Sequence, residues 1–158
     1  MSAIAFFEWC ESTALGTAIR ESIWYFPVIE GVHLVALAML GGSALLVDLR
    51  LLGALMPRVP LAQVARDARP YLLGSIAVII VTGLLLFMSE AVKCFYNTSF
   101  WVKMSALLLA LIFLFAVKQP VAMRDEAKTS PAVLKTVGGI SIALWFVVAA
   151  AGRWIGFS

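Results

Sequence analysis

The sequence predicts an all-α fold: a four-helix transmembrane bundle with a short N-terminal interfacial helix. Composition is the first reason. Of 158 residues, 63% are hydrophobic and 13% are charged, whereas a soluble domain carries about a quarter charged and about half apolar residues. The mean hydropathy of +1.00 agrees. The second reason is that four apolar runs each approach the ~20 residues needed to cross a ~30 Å hydrocarbon layer. The third is that backbone in that layer can satisfy its polar groups internally only as helix or closed barrel, and these runs have helical length. The chain reads as a single membrane domain over 1–158, with the lipid bilayer as its first partner.

The interfacial segment covers 5–22. It is too polar to cross, and Ser12 or Thr13 can cap a short helix through "ALGTAIRES". Phe6, Phe7 and Trp9 ahead of that helix suit the outer membrane surface. The opening "MSAIAFFEWCE" has no basic n-region, so no cleavable signal is expected. The spans are placed at about 23–47, 71–89, 100–117 and 136–155. Pro70 before the second, Pro120 after the third and Pro131 before the fourth serve as helix boundaries.

The net charge of +3 does not indicate a nucleic-acid partner, because the basic residues sit in the connections between apolar runs. Arg50, Arg58, Arg66, Arg69, Lys118, Arg124, Lys128 and Lys135 fall on one side; Arg20, Lys93, Lys103 and Arg153 fall on the other. The heavier side is cytoplasmic by the positive-inside rule, which gives a multi-pass protein of the bacterial inner membrane, N-out and C-out. Trp24, Trp101 and Trp154 then lie together at the outer interface. Cys10 and Cys94 also lie outside, where a bridge would pin the surface segment to the second connection. They form no CxxC pair, so no zinc or thioredoxin-type site is expected.

Within the first span, "VIEGVH" places Glu30 one helical turn from His33, the one histidine of the chain. An ionisable group at mid-membrane costs roughly 2.5–3.5 kcal/mol on insertion scales, so each is a candidate functional residue. His33 falls about 13 Å below the outer interface at ~1.5 Å per residue. Glu90 ends the second span, Lys103 opens the third and Arg153 closes the fourth, all on the outer side.

A neutral imidazole at that depth is a good axial ligand for a b-type haem. Lys103 and Arg153 can pair with its propionates, and Glu30 can orient the imidazole or carry a proton. Met88, Met104, Lys103 or a residue of a partner subunit would supply the sixth ligand. Two other readings stand beside this one. His33 can be interhelical glue, bonded to Glu30 or to a carbonyl, or it can belong to a proton or ion path. Lys103 and Arg153 can equally snorkel to the headgroups. Gly41, Gly42, Ser43 and Ala44 suit close helix packing, Trp145 core filling, and Asp48 and Arg50 a local ion pair or lipid contact. No GxSxG, HExxH or phosphate-binding glycine loop is present, which argues against hydrolase, zinc-protease and nucleotide-binding functions.

The run "STALGTAIRESIWYFPVIEGVHLVALAMLGGSALLVDLRLLG", with "TGLLLF", "FWVKM" and the closing "AGRWIGF", resembles a family of small bacterial four-helix membrane proteins of unknown function. More distantly, it is similar to HemJ-type protoporphyrinogen oxidases and CopD-like membrane domains. That likeness implies a functional pair, associated with haem b, at His33 in "GVHLVALAML" and Lys103 in "FWVKMSALLL", with Arg50 matching an arginine that closes the first helix. HemJ-type proteins carry further histidines that this chain lacks. The expected function is thus an accessory redox subunit binding one haem b, with a partner membrane subunit or a homo-oligomer. The alternatives are a cofactor-free structural or assembly subunit and a HemJ-type oxidase.

Overall fold

The computed structural model describes residues 2–157. Helices α1 (Ala3–Ser12) and α2 (Ala14–Glu21) precede the first long helix α3 (Tyr25–Leu51). Then follow α4 (Leu61–Ser89), the short α5 (Ala91–Tyr96), α6 (Thr98–Ala122) and α7 (Pro131–Ile155). Among the described residues there is no strand. Helices α3, α4, α6 and α7 are the four long and apolar enough to cross a membrane. Their outward faces carry Ile80 and Leu84, Leu108 and Leu109, and Phe146, all well exposed to the surroundings. In water such a surface would aggregate; in lipid it is the expected boundary. The molecule is an integral membrane protein with an all-α bundle fold.

Several helices run beyond the apolar segments that announced them. Pro70 lies inside α4, which begins at Leu61. The early turns of α4 bury Leu61, Val64, Ala65 and Ala68 and expose Arg66, Asp67 and Arg69. That i, i+3, i+4, i+7 face is amphipathic, so tertiary packing extends the helix past its hydrophobic run. Pro120 likewise lies within α6. The helix widens into a π-turn at Leu114–Lys118 just ahead of it, in a segment that must accommodate a residue without a backbone donor. The surface segment is two helices: Thr13 interrupts the chain and caps α2 by accepting the Gly16 N–H.

The core is not uniform along the bundle. Val47, Leu51, Leu61, Val64, Ala65, Ala68, Val121, Ala122, Leu134 and Val137 bring all four long helices together at the end where α3 finishes. Leu40, Ala44, Leu72 and Leu114, with Ile76 and Trp145, do the same at mid-bundle. Towards the other end the apolar clusters divide. One joins Ala106 and Ala110 of α6 to Val148 of α7. The other joins Phe7 and Cys10 of α1 to Ala91 of α5 and Phe87 of α4. The four helices are thus tightly joined at one end and resolve into an α3/α4 pair and an α6/α7 pair at the other. Cys10 and Cys94 are both free thiols.

Candidate functional site

The divided end holds His33. Its Nδ1 lies 2.8 Å from Thr82 Oγ1 on α4, and that hydroxyl is 2.7 Å from the Val78 carbonyl one turn earlier. A threonine hydroxyl has one proton, and the carbonyl can only accept, so Thr82 donates to Val78. With the hydroxyl proton on Val78, Nδ1–H of a neutral His33 donates to Thr82 and Nε2 keeps the lone pair. Gly83 makes room for this arrangement, since a Cβ there would stand 3.3 Å from His33 Cε1.

Lys103 belongs to the opposite helix pair. Its aliphatic chain lies along Gly152 of α7, whose Cβ, if present, would sit 3.7 Å from Cε and 4.0 Å from Nζ. Among the described residues Lys103 makes no hydrogen bond or ion pair. A half-buried ammonium without a counter-ion is costly in hydrocarbon, which makes Lys103 a candidate functional residue beside the hydrogen-bonded His33.

The other candidate residues lie elsewhere. Glu30 shares a helix with His33 but is exposed, and among the described residues it bonds to nothing. Met104 is 44% exposed on the outward side of α6, and Met88 is half-buried beneath α2. Arg153 is exposed, with its guanidinium 4.7 Å from the centre of the Phe157 ring. Trp145 packs where the mid-bundle core gives way to the α6/α7 cluster, at the floor of the gap.

A second polar constellation was hidden in the sequence. Lys118, expected in a cytoplasmic loop, is fully buried in α6, with Nζ 2.6 Å from Asp48 Oδ1. The same nitrogen donates to the Ala44 carbonyl at 3.0 Å and to Ser141 Oγ at 3.2 Å. Ser141 in turn donates to Asp48 Oδ2 at 2.9 Å. The Oδ1 contact lies off hydrogen-bonding directions, so Coulomb attraction joins it to the ammonium. Nor does Arg50 make a local pair or face lipid. It forks onto both Glu126 oxygens at 2.9 Å and donates to the Val59 carbonyl, while Glu126 also accepts from the Leu61 N–H. Spacing along one helix could not reveal these partners, because each comes from a different element.

The family model of a family of unknown function, DUF6644, matches residues 6–158, nearly the whole chain. The chain belongs to that family. Membership accords with the likeness to uncharacterised four-helix membrane proteins and lends no support to the HemJ-type or CopD-like one. No curated protein and no solved structure matches. Both polar constellations lie within the segment that the DUF6644 model covers. Among the described residues, no group of three or more His, Cys, Asp or Glu could hold a metal ion. A metal at His33 would therefore need ligands from elsewhere, as the iron of a porphyrin has.

Proposed function

We propose that this chain is an accessory redox subunit of a bacterial inner-membrane complex, holding one b-type haem between its helix pairs through His33. The observation that carries this reading is the His33–Thr82–Val78 chain of hydrogen bonds. It fixes the imidazole and leaves Nε2 free to ligate, the role that outer hydrogen-bond partners play at metal-bound histidines. The donor set fits: one neutral imidazole for iron and one ammonium, Lys103, for a propionate. The haem would supply one-electron chemistry. The chain's own work is to bind, to orient, and to keep water out with Leu40, Ile76 and Trp145 below the site. The exposed Met104 and Met88, beneath α2, are both poorly placed for the sixth ligand, which favours a residue of a partner membrane subunit.

A cofactor-free structural or assembly subunit is the second reading, favoured by the charge-paired Asp48–Lys118–Ser141 group at the opposite end. In that case the His33–Thr82 bond is interhelical glue. An ion path is disfavoured, since Leu40, Ala44, Leu72 and Leu114 close the bundle between the two polar groups. Purified protein should show a Soret band and yield haem b by pyridine haemochrome; protein without haem sinks the cofactor reading. His33→Ala should lose the haem while still inserting in the membrane. The HemJ-type alternative requires turnover of protoporphyrinogen IX that vanishes in Lys103→Ala.

A further inference from the structure

We propose that the connection between α6 and α7 forms a headgroup site for an anionic phospholipid of the leaflet at the Asp48 end. The site is independent of any ligand at His33.

An open cavity of about 410 Å³ lies where α6 has ended and α7 begins, within the ~300–1,000 Å³ range of ligand sites. Arg124, Asp125, Lys128, Thr129, Ser130 and Val133 line it. The backbone that carries these residues is fastened from behind. Glu126 accepts from the Arg50 guanidinium with both oxygens at 2.9 Å and from the Leu61 N–H at 3.3 Å, which ties the turn to α3 and α4. Within the turn, Asp125 Oδ1 accepts the Ala127 N–H at 3.2 Å, and Thr129 Oγ1 donates to the Asp125 carbonyl at 3.1 Å. The cavity wall is thus shaped before any ligand arrives.

The same ties set its charge. Glu126 is neutralised by Arg50, so the cavity presents two cations, Arg124 and Lys128, against the single carboxylate of Asp125. Lys128 stands 3.7 Å from Asp125 Oδ2 with both side chains well exposed, a weak pair in water. Among the described residues Arg124 makes no hydrogen bond or ion pair, and the Ser130 hydroxyl, which does not cap α7, has no partner. A guanidinium, an ammonium and a hydroxyl with protons to donate are the donor set that a phosphate takes.

The apolar edge assigns that phosphate to a lipid. Val133, in the first turn of a spanning helix, lines the cavity and is exposed, as is Met123 beside Arg124 in the chain. A headgroup phosphate on the cations would lay its acyl chains along such side chains, which a free phosphate in water would leave bare. Arg58, Arg66, Arg69 and Lys135 draw anionic lipid to the same end through their field; the fastened donors add a place to bind.

The test titrates the full chain in detergent with phosphatidylglycerol or phosphatidylcholine and counts bound lipid by native mass spectrometry. Wild type should prefer phosphatidylglycerol by about tenfold or more, the pull of two basic side chains. Arg124→Gln/Lys128→Gln should lose that preference. Arg66→Gln/Arg69→Gln removes the same charge from exposed positions of α4 outside the cavity and should keep it. Ser130→Ala, which changes no charge, should weaken phosphatidylglycerol binding severalfold. No preference in wild type, or equal loss in the two double variants, overturns the site, as does wild-type binding by Ser130→Ala, which would leave only a diffuse field. Excess inorganic phosphate should not displace the lipid; displacement would assign the cavity to free phosphate and overturn the lipid reading.

Discussion

Lys118 and Asp48, on two different spanning helices, form an ion pair at 2.6 Å with side chains 2% and 1% exposed. Removing one partner strands the other as a buried charge, which costs about 3–5 kcal/mol, whereas replacing both by apolar residues of similar volume is often near neutral. Lys118→Ala should therefore destabilise the bundle strongly in a detergent unfolding assay. Asp48→Leu/Lys118→Met should recover most of that loss. Equal loss in single and double variants would show that the pair is not energetically coupled.

Thr82 is a positioning residue in the haem reading, because it touches His33 and nothing that reacts. Thr82→Val keeps the side-chain shape but leaves Nδ1–H without its acceptor. Losing such an outer partner typically weakens metal binding by about 10–100-fold. Haem titration should show that weakening, and Thr82→Ser should restore binding. A Thr82→Val variant with wild-type affinity would remove Thr82 from the ligand's support.

The fold was legible because the bilayer imposes two simple demands, apolar length and internal hydrogen bonding, and both are written in local composition. His33 and Lys103 were legible for the same reason, as ionisable residues in or at the edge of apolar runs. Lys118 was not, because a lysine near the end of a span looks like a loop charge until α3 and α7 supply Asp48 and Ser141. The early turns of α4 were missed because Arg66, Asp67 and Arg69 mask the buried Leu61, Val64, Ala65 and Ala68 in any sliding average. In both cases the deciding signal is which face a residue occupies, and that emerges only when helices pack.

Cys94 lies outside the spanning helices, where burial, reinforced by the Glu90 carboxylate, pushes its thiol up to about 11. The thiolate is the reactive form, so at pH 8 only about a thousandth of the population reacts, against about a tenth for a thiol titrating at 9. In a Cys10→Ser background, maleimide labelling should be slow at pH 8 and rise about tenfold per pH unit towards pH 11. Rapid labelling at neutral pH would contradict this setting for Cys94.

Gly16 lies against α4 so closely that a Cβ would stand 2.5 Å from the Met88 carbonyl oxygen. Backbone cannot rotate aside as a flexible side chain can, so α2 must shift. Gly16→Val should cost about 1–3 kcal/mol, the usual range for overpacking, and loosen α1 and α2 from the bundle. Limited proteolysis should then cut near Ser22 faster than in wild type, while the four spans stay protected. Unchanged protection at Ser22 would mean that α2 is not docked on α4.

The orientation proposal rests on the basic residues, with three corrected, of which Arg50 is tied to Glu126. Lys118 is consumed by Asp48 and Lys103 lies within the helix bundle rather than in a loop, so neither counts as a free loop charge. Arg58, Arg66, Arg69, Arg124, Lys128 and Lys135 still mark the Asp48 end, against Arg20, Lys93 and Arg153 at the His33 end. We therefore propose, from the positive-inside rule, that the Asp48 end faces the cytoplasm and that His33 lies in the outer half of the bilayer. In a Cys10→Ser/Cys94→Ser background, Ser130→Cys should be modified by an impermeant maleimide only after the cells are opened, and Gly156→Cys in intact cells. The opposite pattern would put His33 on the cytoplasmic side.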